Sequence, residues 1–359
     1  MHSFLHLARS IWWIGVYLFR LLWTSFYDDY ILFSPPGLAK NAEHTAKSLL
    51  RLLGWIFAED GKKAQPFSSM CPALGVVFDL HCSGEGCCFI KNTEKRIAEV
   101  CGDLDRVIKC AQIRGSDARR LHGRMVFADA QLFGRTGKRC MRVISQCAER
   151  QWSKLDPSDL FFLNLFRDSM KDGPPRELRS QSVDQVLIFS DACYERDSRN
   201  WRCGIGGVMH DPVACSWEYF SVKISDEQLQ LLGESSKAQL IFEAETLASL
   251  VSFVLWSEKF KNRRCHLFAD NEGTKFCLLK GSSDNQCVND MVRLFALHES
   301  KVHSFVWISR VASASNIADG PSRNDCSDLK GLNASDVSIT AKSLMDDLIT
   351  QVVLGGGAG

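Results

Sequence analysis

The stretch VLIFSDA, residues 186–192, sets the reading of the chain: a short apolar, β-branched run that reads as a strand and ends on an acid, Asp191. Two further runs of the same kind follow, CGIGGVM at 203–209 and SWEYFSVKI at 216–224, with connections short enough for an antiparallel meander. A helix is expected at about 238–256, where Leu240, Ala244, Leu247, Val251 and Leu255 recur at helical spacing. HLFAD (266–270) reads as a strand, NEGTKFCLLKG as a helix closed by Gly281, 286–298 as another helix, and VHSFVWIS (302–309) as a strand. SNIADGPSR, residues 315–323, is a capped turn that opens a short helix. The order β-β-β-α-β-α-α-β-α specifies a mixed five-stranded sheet with flanking helices, an α/β (α+β) layer architecture over residues 185–330. Residues 331–359 read as a tail with one helix, fraying at GGGAG.

Before this half, the run DGPPRELRSQSVD concentrates Gly, Pro and charge, and places a linker at 173–184. Residues 91–172 are mostly helical, with arginines at Arg114, Arg119, Arg120 and Arg124; spacing alone makes them a solvated helix face. Residues 1–90 mix apolar helices with the short strand LGVVFDL (74–80). The first 25 residues are strongly apolar, but Arg9 and Arg20 interrupt them, so a helix packed within a protein is expected rather than a membrane span.

Composition narrows the classes. With 359 residues, 45% hydrophobic and 24% charged, the chain is neither a stapled mini-protein nor largely disordered. The 43 Lys+Arg against 42 Asp+Glu leave no global basic field, so any nucleic-acid partner must be met by local patches and bound ions. Fifteen cysteines, an odd number at irregular spacing without the pattern expected of a secretory signal, make a reduced intracellular compartment, cytoplasm or nucleus, the expectation. The densest group, Cys71, Cys82, Cys87 and Cys88, lacks paired C-x-x-C knuckles and reads as buried or incidental thiols rather than a zinc site.

Four acids share one kind of position: Asp191 and Asp270 end strands, Glu245 lies in the long helix, and Asp319 starts the last helix. Strand ends and helix starts are where side chains converge outside a sheet. Converged carboxylates repel one another, and a pair of divalent ions is the usual reason to tolerate this. Two such ions activate a water and stabilise the leaving oxygen of a phosphodiester. A helical wheel puts Glu243 within the apolar arc and Glu245 just past its edge, so Glu245 is the expected site residue.

SDAC, EAETLA, FADNEGT and NIADGPSR, in that order, resemble the four acidic motifs of the ribonuclease H fold. The resemblance covers about residues 185–325 and implies that Asp191 bridges two Mg²⁺ (or Mn²⁺) ions, that Glu245 and Asp270 hold one, and that Asp319 completes the other. It implies cleavage of the RNA strand of an RNA/DNA hybrid. Glu245-Thr246-Leu247-Ala248 fits the family's Glu-x-x-Ala spacing. Integrases of this fold end their triad in a late glutamate, and proofreading exonucleases carry a second acid two residues after the first, where this chain has Cys193. Many ribonucleases H carry a mobile histidine before the last helix; ISRVASAS offers only Arg310, which implies altered product release or weak activity.

FYDDYILFS (26–34), LLRLLGWIFAEDGKKAQPF (49–67) and ALGVVFDL (73–80) resemble the later palm motifs and primer grip of reverse transcriptases. ARRLHGRMVFADAQLFGRTG (118–137) resembles the thumb and connection of retroelement polymerases, especially DIRS-like ones. On this resemblance Asp28 and Asp29 are polymerase metal ligands, Lys62 or Lys63 protonates the leaving pyrophosphate, and the arginine cluster contacts template-primer. The fingers and an earlier palm strand would lie before Met1, so residues 1–90 are expected to be a partial palm truncated at the N-terminus. No DNA polymerase activity is expected from this chain without a missing polymerase portion. The alternative is a non-catalytic nucleic-acid-binding or vestigial retroelement remnant.

Overall fold

The computed structural model describes residues 2–59, 64–132, 135–180, 185–195, 202–233, 239–261 and 263–356. The chain forms two compact units, Met1–Cys88 and Phe89–Gly359.

The first unit carries α1 (His2–Phe19), a hairpin of β1 (Leu22–Phe26) and β2 (Asp29–Phe33), α2 (Ala39–Leu52), and a second hairpin of β3 (Met70–Ala73) and β4 (Val76–Asp79). β5 (Cys87–Asn92) begins at its end. Its core is small, built on Ile11, Trp23, Leu49 and Leu50. Trp12 and Trp23 each donate an indole N–H to the other's carbonyl, at 2.8 and 3.1 Å, and so tie α1 to the hairpin. Phe4, Trp13, Tyr17 and Leu18 stay exposed. No described helix is long and apolar enough to cross a membrane.

The second unit opens with a helical bundle: α3 (Glu94–Cys110), α4 (Gly115–Asp129), α5 (Thr136–Ala148) and α6 (Pro157–Asp172). The polar caps Thr93 and Asp156 start α3 and α6 with side-chain acceptors, and Pro157 takes the first helical position of α6. β6 (Gln112–Arg114) and β7 (Trp152–Lys154) pair antiparallel between the helices. Leu104, Leu121, Met125, Ile144, Phe162 and Phe166 fill the bundle core. β8 (Arg176–Arg179) is a strand within the segment expected to be a linker. Residues 181–184 of that segment lie outside the described residues.

The meander is realised as β9 (Gln185–Tyr194), β10 (Cys203–Asp211) and β11 (Ser216–Lys223), all antiparallel. After α7 (Asp226–Leu231) and α8 (Ile241–Leu255), β12 (Arg264–Ala269) joins β9 in parallel. α9 (Glu272–Lys280) and α10 (Gln286–Val302) lead to β13 (Phe305–Arg310), which extends the sheet in parallel, and α11 (Asp319–Ser322) follows. β14 (Ser335–Asp336) and α12 (Ser338–Gly356) end the described chain. The sheet order is β13-β12-β9-β10-β11-β14.

The mixed sheet with flanking helices is as expected, with three differences. A sixth, two-residue strand, β14, pairs parallel with β11 at the sheet's edge. Residues 331–356 are not a tail: Ala341, Met345, Leu348 and Ile349 of α12 are buried in the same core as α8 and α10. Those residues are spaced as one apolar stripe, and only the sheet's presence shows that it has a partner. The bundle and the sheet belong to one unit rather than two. Arg135 at the start of α5 pairs with buried Glu299 of α10 and donates to Val306 O at 2.6 Å. Arg139 meets Asn289 at 3.2 Å, and Arg142 meets Ser282 and Asp284.

Helices pack on both faces of the sheet. α8 is buried from Glu243 to Phe253 because the sheet lies on one side and α10 and α12 on the other. α11 covers the opposite face near Val208 and Leu329. Its close approach depends on Gly206: a Cβ there would lie 2.4 Å from Ser322 N and 2.7 Å from Ala318 O, both backbone atoms. Replacing Gly206 by Ala should therefore lower unfolding free energy by about 1–3 kcal/mol, measured by urea denaturation. An unchanged midpoint would show that α11 moves aside at no cost.

Candidate metal centre

Pairing between β9 and β12 stops at Ser190 and Ala269. β9 continues through Asp191 to Tyr194, whereas β12 ends and Asp270 turns out of the sheet at the same level. A notch opens between the strands at their carboxyl ends, where side chains from both faces of the sheet can meet. Ser190 Oγ bonds Ser249 Oγ of α8 at 2.9 Å, so by the alternation of a strand Asp191 points to the α11 side. Glu245 comes from α8 and accepts from the Ala192 backbone N–H.

Asp191, Glu245 and Asp270 each bring a carboxylate oxygen within 4.8 Å of the other two. Asp191 and Glu245 are only 3% and 4% exposed. Burial, with a smaller push from the charges of Asp270 and Asp319, lifts Asp191 to about 7, against a lowering hydrogen bond from Ser322. Burial, the charges of Asp191 and Asp270 and a side-chain hydrogen bond with Asp270 lift Glu245 to about 10. Glu245 Oε2 and Asp270 Oδ1 are buried without a hydrogen-bond partner. A group of oxygen donors that repel one another, with acceptor atoms left over and no ion pair from Lys, Arg or His to the three carboxylates among the described residues, fits a hard divalent ion.

Two of the three carboxyl groups, those of Asp191 and Asp270, are held from behind. Ser322 Oγ donates to Asp191 Oδ2 at 2.6 Å, and Asn316 Nδ2 reaches Asp191 Oδ1 at 3.2 Å while also bonding Ser190 O at 3.1 Å. Ser313 Oγ donates to Asp270 Oδ2 at 2.8 Å. Such partners fix the orientation of a ligand. None of the three was singled out by sequence reading, because serine and asparagine near a helix start read as caps.

Asp319 is not one of the three. Its carboxylate is about half exposed and accepts from Arg323 Nε at 3.1 Å, although its charge is felt at Asp191. Glu243 shows why the helical-wheel argument is insufficient: α8 is buried all round, and Glu243, at 2% exposure, is as deep as Glu245. Their partners separate them, since Glu243 accepts from Asn285 Nδ2 at 2.6 Å. Arg310 lies beside the centre and donates from Nε to Asp270 O at 3.1 Å.

No protein-family model matches this sequence, and no curated relative matches it. Among solved structures, the chain is similar to the N-terminal RNase H domain of a Mycobacterium tuberculosis protein, fused to maltose-binding protein, at 13% identity and a TM-score of 0.27. That match covers 42% of this chain and 99% of that one. RNase H1 of Halobacterium salinarum is similar at 14% identity and a TM-score of 0.24, over 37% of this chain and 90% of that one. A foamy viral protease-reverse transcriptase in complex with double-stranded DNA is similar at 8% identity and a TM-score of 0.37. That match covers 84% of this chain and 48% of that one, so this chain spans about half of it.

The other expected site residues fall as follows. Asp28 and Asp29 sit exposed at the tip of the β1–β2 hairpin, where Tyr27 takes the left-handed conformation at φ 56°. No third His, Cys, Asp or Glu closes on them among the described residues. Lys62 and Lys63 lie outside the described residues. The arginine cluster divides in two. Arg124 pairs with the nearly buried Asp103 at 2.6 Å, and Arg119 donates to Ala148 O at 2.7 Å, so both hold the bundle together. Arg114 and Arg120 line a cavity of about 240 Å³ with Arg106 and Trp152, and the Arg114 guanidinium lies 5.3 Å from the Trp152 ring centroid.

The raised carboxyls set the sign of a pH effect. A carboxyl whose folded pKa is raised gives stability that is present below its unfolded value and lost as pH climbs through the folded one. Without divalent ions, melting temperature should therefore fall as pH rises from about 5 through 7, the Asp191 window, and keep falling toward 10 as Glu245 ionises. Asp270→Asn should flatten this slope and leave the melting temperature in EDTA equal or higher, because it removes a repelling charge. A clear drop for Asp270→Asn would make Asp270 structural instead.

Proposed function

We propose that the chain is a metal-dependent endonuclease of ribonuclease H type, cutting the RNA strand of RNA/DNA hybrids. The observation that carries this reading is the buried triad Asp191, Glu245 and Asp270 with its two partnerless oxygens, at the notch where β12 stops short of β9. The ordered motifs SDAC, EAETLA, FADNEGT and NIADGPSR support the same family. Divalent ions held there would polarise an attacking water and neutralise the leaving oxygen. The chain's own residues do the positioning. Ser322 and Asn316 turn Asp191 toward the notch, Ser313 fixes one oxygen of Asp270 and leaves the other to bind, and α8 delivers Glu245 through the gap. In this reading Asp319, which accepts from Arg323, would help to hold a second ion. Arg323 also reaches Glu195 at 2.9 Å.

In this reading the helical bundle supplies the nucleic-acid contact. Arg114 presents its cation beside the aromatic face of Trp152, and Arg120, paired with Asp117 at 3.1 Å, lines the same cavity, a combination that suits a phosphate backbone with a stacked base. In this reading the hairpin bearing Asp28 and Asp29 corresponds to a later palm motif of a polymerase, and among the described residues no third ligand closes on its two exposed acids.

The test uses the full chain, a labelled RNA/DNA hybrid and Mg²⁺. Cleavage confined to the RNA strand and dependent on Mg²⁺ is expected, with Asp270→Asn and Glu245→Gln each reducing it by at least about a hundredfold. Salt-sensitive binding with no turnover under Mg²⁺ or Mn²⁺ would leave a non-catalytic nucleic-acid-binding remnant, and no binding at all a vestigial one. Arg114→Glu with Arg120→Glu should weaken hybrid binding and reduce the slope of log affinity against log salt by about one per lost phosphate contact. An unchanged slope would remove the bundle face from the contact.

A further inference from the structure

We infer that the first unit holds a second metal site of different chemistry, a thiolate site for a zinc-like divalent cation formed by Cys82, Glu85 and Cys87. The sequence spacing, Cys-x4-Cys around Ser-Gly-Glu-Gly, has no paired knuckles, and it gives no sign of how tightly the chain turns there. The turn brings Cys82 Sγ, a Glu85 carboxylate oxygen and Cys87 Sγ within 4.8 Å of one another. In a tetrahedral zinc site with zinc–sulfur distances of about 2.3 Å and zinc–oxygen distances of about 2.0–2.2 Å, ligand atoms stand about 3.5–4 Å apart. The three atoms thus need only a small closure to share an ion.

The loop is built before any ion arrives. The Glu85 N–H donates to Cys82 O at 3.0 Å, the Cys87 N–H donates to the same oxygen at 3.2 Å, and the Gly86 N–H donates to Ser83 O at 3.1 Å. Gly86 takes φ +78°, a conformation that an L side chain would strain, and this reversal carries the chain from the single helical turn at 83–85 into β5. Cys87, as the first residue of β5, is pinned from the other side. A metal therefore finds the two sulfurs already brought together and has little chain entropy to remove.

The donor set chooses the ion. Two thiolates select a borderline or soft cation and disfavour Mg²⁺, which takes oxygen ligands. The nearby imidazole of His81 is engaged at both nitrogens, with Asp79 Oδ1 at 2.7 Å and Ser69 Oγ at 2.9 Å. The fourth position is left to water. The thiols are half-buried and Glu85 is exposed, so the ion can enter and leave. Three protein ligands and a water make an exchangeable site, in contrast to the closed four-ligand sites that hold zinc permanently.

The experiment is a titration of the full-length, reduced, metal-free chain with Co²⁺, in excess Mg²⁺ so that the carboxylate centre does not contribute. One equivalent of Co²⁺ should give thiolate-to-metal charge-transfer absorption and the visible bands of a tetrahedral site, and Zn²⁺ should displace it. Glu85→Gln should keep the absorption and weaken binding by at least about tenfold. Cys82→Ser with Cys87→Ser should abolish it, while Cys110→Ser and Cys215→Ser, at exposed cysteines elsewhere, should not change it. Should the double variant fold poorly, Cys87→His keeps a ligand at that position and should bind with weaker charge-transfer absorption from one thiolate. The inference is overturned if Co²⁺ shows no charge transfer, if the full signal survives in the double variant, or if Cys82 and Cys87 form a disulfide that the reductant does not open. Hybrid cleavage does not enter these readouts, so the carboxylate centre and the thiolate site stand or fall separately.

Discussion

Asp191, Glu245 and Asp270 meet where burial disfavours the charged forms of Asp191 and Glu245 and the neighbouring carboxylate charges add to that cost, and this conflict governs the architecture around them. Bringing them together requires β12 to end where β9 continues, α8 to be buried on every side, and α11 to lie close enough for Ser322 to reach Asp191. The last condition reaches back to Gly206, whose missing side chain is what lets the backbone of α11 approach β10. The hydroxyls and amide behind the triad answer only some of the carboxylate oxygens. The rest of the compensation must come from protons at low pH or from cations.

The sheet's order was largely legible from the sequence because its information is local. VLIFSDA, CGIGGVM and SWEYFSVKI are separated by connections too short for crossovers, so an antiparallel meander is the economical solution. The roles of β14 and α12 were not legible in this way. A two-residue strand exists only through its partner β11, and the apolar stripe of α12 has meaning only beside α8 and α10. The strand β8, inside a run rich in Pro and charge, is likewise the product of pairing rather than propensity.

The candidate site was legible as a list of acids and illegible as a geometry. Periodicity could not separate Glu243 from Glu245, because both are buried; a hydrogen bond from Asn285, forty-odd residues away, is what occupies the first. Nor could it show that Asp319 leans on Arg323, an interaction that depends on the last turn of a four-residue helix. Arginine spacing made one cluster of Arg114, Arg119, Arg120 and Arg124, whereas the fold commits Arg119 and Arg124 to holding the bundle and leaves Arg114 and Arg120 at a cavity. The loop at Cys82 teaches the same lesson: what spacing reads as incidental thiols, three backbone hydrogen bonds bring together.

Arg135, Arg139 and Arg142 lie along one side of α5 and fasten it to α10 and to the segment before it, with the Arg135–Glu299 pair shielded from solvent. Replacing either partner alone would strand a buried charge, so the two residues have to be kept together. Side-chain contacts thus join α5 to α10 and the residues before it, in addition to the covalent connection through the segment 173–184. A protease nick in that segment would cut the chain into two pieces on a denaturing gel, yet the pieces would migrate together under native conditions.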